Sequence, residues 1–150
     1  FFNADSFNAS RKASWVKIPL FTKYLRQCKW VFYTDVDFLF LSMKTPLPID
    51  DAYDIVLSHE CLLWSGTFHK REVMSGTMMM RRSAWSRSFL DSWDNSYAQF
   101  RDVKNHDQVA FQRLASSDDA WPHVKALPPE KFMTYFYQKG WLAVRLVSLK

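Results

Sequence analysis

The apolar positions of this chain fall into short runs of two kinds. Some are continuous and rich in aromatic and β-branched residues. Others recur every three or four residues. The first kind predicts strands, the second helices. Residues 1–13 are polar and irregular. Ser14 then reads as the cap of a helix starting at Trp15, with Pro19 moving its regular part toward Ile18 and Leu20, Tyr24 and Leu25 on its apolar side. Trp30 to Thr34 is a continuous apolar run that predicts a strand buried on both faces. It leads through Asp35-Val36-Asp37 into a second run, Phe38 to Leu41. Met43 to Asp51, with Pro46 and Pro48, is a rigid connection. Tyr53 to Ser58 reads as a strand, His59 to Glu72 as a loop, and Val73 to Met80 as a strand entered through Ser75-Gly76.

Ser83 caps the clearest helix, whose Trp85, Phe89, Trp93 and Tyr97 form one stripe at a spacing of four. Asn105 caps the next, with Gln108 three residues on in a capping-box position and Val109, Ala110, Phe111 and Leu114 on the buried side. After a loop over Ser116 to Pro122, His123 to Leu127 reads as a short strand ended by Pro128-Pro129. Phe132 to Tyr137 is a short aromatic segment, and Trp141 to Leu149 alternates as a closing strand. Strands alternate with helices, so the class is α/β.

Composition narrows the function. The 150 residues suffice for one domain with a real core, and 17% aromatic residues with only three glycines exclude a disordered chain. The formal charge of +5 favours anionic partners. No run of five Lys/Arg exists, which argues against a nucleic-acid tail. No apolar run approaches the roughly 20 residues of a membrane span. Phe1-Phe2-Asn3 reads as a start inside a domain, so a longer parent protein is expected, with any membrane anchor outside these residues. Asn8-Ala9-Ser10 matches a glycosylation sequon. Cys28 and Cys61 are read as two buried thiols or one disulfide, and no pair of the four histidines has zinc-ligand spacing.

Asp35 and Asp37 are the strongest chemical candidates. Two carboxylates closing an apolar strand are costly unless paired, hydrogen-bonded or bound to a cation. Read as an extended strand, positions i and i+2 point to one side. A hard divalent cation, Mg²⁺ or Mn²⁺, relieves their repulsion and also takes phosphate oxygens. Asp107 lies in the first turn of a helix, where the dipole and free N–H groups favour a carboxylate. Gly76 marks a bulge or a close approach of the backbone to a ligand. Arg11 and Lys17 precede the acidic strand and are placed to reach a diphosphate; the alternative for both is a solvated helix face.

Taken together and in order, these residues resemble a known family. Trp15-Val-Lys-Ile-Pro19, Trp30-Val-Phe-Tyr-Thr-Asp-Val-Asp37 and Thr45-Pro46-Leu47 look like the opening of the nucleotide-sugar site of GT-A glycosyltransferases. Ser75-Gly76-Thr77 through Trp85, with Phe89 to Trp93, is similar to the galactosyl-, mannosyl- and xylosyltransferase family of fungi and plants. Asn105-His-Asp-Gln-Val-Ala-Phe111 resembles the Asp-Gln helix start of related families. The resemblance implies a Rossmann-like GT-A mixed sheet flanked by helices, incomplete at both ends. It implies a transferase that moves a sugar from a UDP- or GDP-linked donor to a glycan hydroxyl with Mn²⁺ or Mg²⁺. Asp35 and Asp37 would then be metal ligands, and Asp35, Val36, Asp37, Gly76, Arg11 and Lys17 donor-binding residues. Asp107 and Gln108 would lie in the active site, Gln108 near the anomeric centre. A eukaryotic parent would be a type II membrane protein of the Golgi lumen.

The chain departs from the family at Ser75, where Asn is usual, and at Ser58-His59-Glu60, where an Asp is common. No histidine follows His123 to serve as a further metal ligand. Two rival readings follow from the same residues. In a haloacid-dehalogenase-type phosphohydrolase Asp35 would be the nucleophile and Asp37 the acid/base, with Asp118-Asp119 as the later acidic pair. In a non-catalytic sugar- or nucleotide-binding module Trp64, Trp121 and Trp141 would stack on the ligand.

Overall fold

A computed structural model describes residues 11–40, 44–59, 71–128 and 143–145. A 3-10 turn over Ala13–Val16 leads into helix α1, Lys17–Tyr24. Ser14 does not cap it, and Pro19 falls in its first turn, where a missing N–H costs no helical bond. Strand β1 is Trp30–Thr34, β2 Phe38–Phe40, β3 Ile55–His59 and β4 Val73–Arg81. Helices α2, Ala84–Asn95, and α3, Tyr97–Phe100, follow β4. Helix α4 is His106–Ala115, with strands β5, Val124–Leu127, and β6, Ala143–Arg145, beyond it.

Four strands form one mixed sheet in the order β1-β4-β3-β5. β4 runs antiparallel to both β1 and β3, while β3 and β5 are parallel. The carboxyl ends of β1, β3 and β5 therefore share one edge with the start of β4. β2 pairs with β6 in a separate two-stranded sheet. This is the expected α/β class, a mixed sheet covered by helices.

Alternation along the strands sorts the core into two layers. Val31 and Tyr33 of β1, Ile55 and Leu57 of β3, and Met78 and Met80 of β4 face the helices. There they meet Trp15, Ile18 and Phe21 from the first helical segment, Phe89 and Trp93 from α2, and Phe111 from α4. Trp30, Phe32, Val56 and Met79 face the other way and pack with Phe38 and Leu47. At the edge far from the carboxyl ends, buried Asp54 accepts from Arg81 at 2.8 Å and lies 2.6 Å from His123 Nδ1, which ties β3, β4 and the entry to β5 together.

Several expectations change. β1 is half-buried along its whole length rather than buried on both faces, and among the described residues it pairs with β4 alone. Trp30 to Phe40 is not one strand: Asp35 to Asp37 is a turn between β1 and β2. Cys28 is exposed, so it is not a buried thiol. The Ser83 cap is confirmed, its hydroxyl accepting from the Ser86 N–H at 3.0 Å. Asn105 enters α4 with a left-handed φ of 55°, a conformation Asn tolerates, and makes no side-chain cap. Cys61, Trp64, Phe132 to Tyr137 and most of Trp141 to Leu149 lie outside the described residues.

Trp93 joins α2 to α4. It is 0% exposed, its ring lies 4.8 Å from Phe111, and its indole donates to the Asp107 carbonyl at 3.3 Å. Trp93→Ala is expected to cost ~3–5 kcal/mol. Urea unfolding should show this as a lower midpoint at unchanged slope.

Candidate active site

Four segments distant in sequence converge at the carboxyl end of β1. The first is the start of α1. Lys17 opens that helix, a position where the dipole disfavours a cation. Tertiary partners override this. Its side chain is 3% exposed, and its ammonium lies 2.8 Å from Asp107 Oδ2 and 3.8 Å from Asp35 Oδ1. It donates to the Ser75 carbonyl at 3.3 Å and reaches the Ser75 hydroxyl at 3.5 Å. The stem passes over Tyr33, with Nζ 5.3 Å from the ring centre. The ammonium therefore meets partners from three other segments, hydrogen-bonding Asp107 and Ser75 and pairing at longer range with Asp35.

The second segment is the end of β1 and the turn after it. The Tyr33 phenol donates to Asp35 Oδ1 at 3.0 Å. Burial raises the Tyr33 pKa well above its ordinary value, and the charges of Asp35, Asp107 and Asp37 push it further the same way. Tyr33 thus stays a donor. The Asp35 N–H donates to the Gly76 carbonyl at 2.8 Å, which pins the turn to β4. Asp37 is half-buried at the end of the turn, and Val36 between the acids is fully exposed.

The third segment is a bulge in β4. Leu57 pairs with Met78, but His59 pairs with Val73, so two steps along β3 oppose five along β4. Met74 to Thr77 thus face the single Ser58 of β3, and here Ser75 meets α1 and α4 while the Gly76 carbonyl meets the Asp35 turn. The fourth segment is the start of α4. Asp107 is 7% exposed. Beside it, His106 Nδ1 takes the Asp107 N–H at 2.9 Å and the Trp15 indole N–H at 3.1 Å. The same nitrogen lies 3.1 Å from the Ser14 hydroxyl and 3.2 Å from Asp107 Oδ1.

Gln108 does not reach back to Asn105 as a capping box requires. Its Oε1 accepts from both the N–H and the hydroxyl of Ser75 at 2.7 Å, and its Nε2 donates to the Val73 carbonyl at 2.6 Å.

The fold thus gathers Lys17, Asp35, Asp37, Gly76, Asp107 and Gln108, with Val36 at the rim. Arg11 is engaged elsewhere: it pairs with Asp94 of α2 and lies over the Tyr97 ring. Lys17 is neither a solvated helix residue nor an open cation. Three participants went unread in the sequence: Tyr33, Ser75 as a bonded group, and His106. Tyr33 carried a usable signal, since it lies two residues before Asp35 at the end of the strand.

Among the described residues no three His, Cys, Asp or Glu side chains form a ready metal cage. Asp35 and Asp37 offer oxygen donors alone. That set suits a hard cation whose other positions come from water and phosphate oxygens, and not zinc. Asp118 of the rival phosphohydrolase reading is 91% exposed at its side chain and paired with Arg71.

A helix-covered mixed sheet with an acidic turn at its carboxyl edge is consistent with a GT-A-type nucleotide-sugar transferase. The family described as nucleotide-diphospho-sugar transferase matches residues 8–147. The chain belongs to that family, which makes it a glycosyltransferase in the general sense. No individual curated protein matches it.

Removing Lys17 leaves Asp107 buried beside Asp35 without their shared counter-charge. Lys17→Met is expected to lower stability by ~3–5 kcal/mol. Arg11→Met removes an ion pair whose side chains are 33% and 39% exposed, and should cost no more than ~1 kcal/mol. Parallel urea titrations check both; equal losses would contradict the assignment.

Proposed function

We propose that this chain forms the donor side of a metal-dependent glycosyltransferase, which takes a sugar from a UDP- or GDP-linked donor and passes it to a glycan hydroxyl. The observation that carries this reading is the turn Asp35-Val36-Asp37, held by the Gly76 carbonyl, the Tyr33 phenol and the Lys17 ammonium. Asp35 and Asp37 would hold Mn²⁺ or Mg²⁺, and a cation there neutralises the charge developing on a nucleoside diphosphate leaving group. Tyr33 keeps Asp35 oriented as it donates to Oδ1. Lys17 lowers the cost of gathering Asp35 and Asp107 in one crevice and stays beneath them, away from solvent. Asp107, held by Lys17, would be the second carboxylate of the site, orienting the sugar or the acceptor hydroxyl. The acceptor is a glycan, and no nucleic acid is involved. A Golgi setting, with an anchor elsewhere in the parent protein, agrees with this chemistry.

Isothermal titration of UDP and GDP into the protein, with Mn²⁺ and then with chelator, tests the proposal. One nucleotide should bind at least about tenfold more tightly with the metal, a difference of ~1.4 kcal/mol. Asp37→Ala should abolish that gain. Equal affinity with metal and with chelator would sink the metal bridge. Absence of binding by either nucleotide would sink the donor class.

A further inference from the structure

The side-chain oxygen of Gln108 is saturated. Both donors of Ser75 reach Oε1 at 2.7 Å, and the amide nitrogen is committed to the Val73 carbonyl at 2.6 Å. A carboxamide oxygen has two acceptor sites, so this one has none left for a reacting sugar. The bonds span the bulge of β4, from Val73 to Ser75. Two tethers leave that bulge on its other side. The Gly76 carbonyl takes the Asp35 N–H at 2.8 Å, and Lys17 donates to the Ser75 carbonyl at 3.3 Å. A bulge opens the sheet ladder locally, so its backbone needs partners from outside the sheet. Gln108 supplies two of them from α4.

We infer that Gln108 is a positioning residue that clamps the Ser75-Gly76 bulge onto α4 and thereby sets where Asp35 presents its carboxylate, and that it is not a group that contacts the anomeric carbon. This rests on the transferase reading for its effect on activity, but the clamp itself does not. Chemistry at the anomeric centre needs an oxygen in position 108, which Glu supplies as well as Gln. A clamp needs the amide N–H, and a carboxylate there would face the Val73 carbonyl oxygen.

The test uses Gln108→Glu and Gln108→Ala in the same protein. Amide hydrogen exchange gives a readout independent of function. In both variants the Asp35 and Ser75 N–H groups should exchange about tenfold faster relative to Val56 in the sheet core, the size of one lost net hydrogen bond. Donor-sugar hydrolysis or transfer, with Mn²⁺ and whichever nucleotide sugar the wild type turns over, gives the second readout. Gln108→Glu should lose kcat to about the same extent as Gln108→Ala, with Ser75→Ala intermediate. Asp35 exchange that changes only in step with Val56 would overturn the clamp. Retention of wild-type kcat by Gln108→Glu alone would overturn it in favour of direct chemistry. If the wild type neither binds nor turns over a nucleotide sugar, the transferase reading fails, while the exchange result still decides the clamp.

Discussion

A lysine side chain only 3% exposed to solvent is the constraint from which most of this site follows. An isolated buried charge of that kind costs more than a small domain can tolerate. Lys17 is therefore possible only because Asp107, Asp35 and the Ser75 carbonyl meet it. The dependence runs both ways, since Asp107 is 7% exposed and needs the cation as much. One ion pair thus joins α1 to α4, with β1 and β4 held between them.

The packing makes that convergence possible. Trp15, Ile18 and Phe21 anchor the first helix in the core, and Phe111 anchors α4 against Trp93. The polar residues at the two helix starts are then delivered to the carboxyl edge of the sheet. Such an edge is where open α/β sheets place ligands. The sheet contributes a defect as well as a frame. The bulge over Met74 to Thr77 breaks the register with β3, and side chains from both helix starts bond the Ser75 backbone there. The Asp35 turn hangs on the same defect through the Gly76 carbonyl.

Much of the fold was legible from local pattern. The runs from Trp30 to Thr34 and Val73 to Met80 are strands within a residue, and Ser83 caps its helix as its position predicts. Tyr97 was read one helix too far, because a stripe at a spacing of four does not reveal the break at Ser96 between α2 and α3. Of the site, the acidic motif and Asp107 stood out, since a carboxylate after an apolar run or in a first helical turn is conspicuous on its own. Lys17 lies in the expected neighbourhood, but as the buried partner of Asp107 and Asp35 and not as an open cation. Arg11, chosen by the same logic, pairs with Asp94 instead. Nothing in the local sequence separates these two cations, because burial depends on which helix packs over them.

The sequence by itself determined the element types and the presence of two acids between two apolar runs. Those are properties of residues within a few positions of one another. Tertiary structure alone decided that Asp35-Val36-Asp37 is a turn and not a strand end, because β2 leaves β1's sheet to pair with β6. It alone decided that Gln108 bonds to β4 and not to its own helix start, because the bulge presents unpaired backbone groups within reach. And it alone buried Lys17 between acids 18 and 90 residues away, a pairing that only long-range packing can bring about.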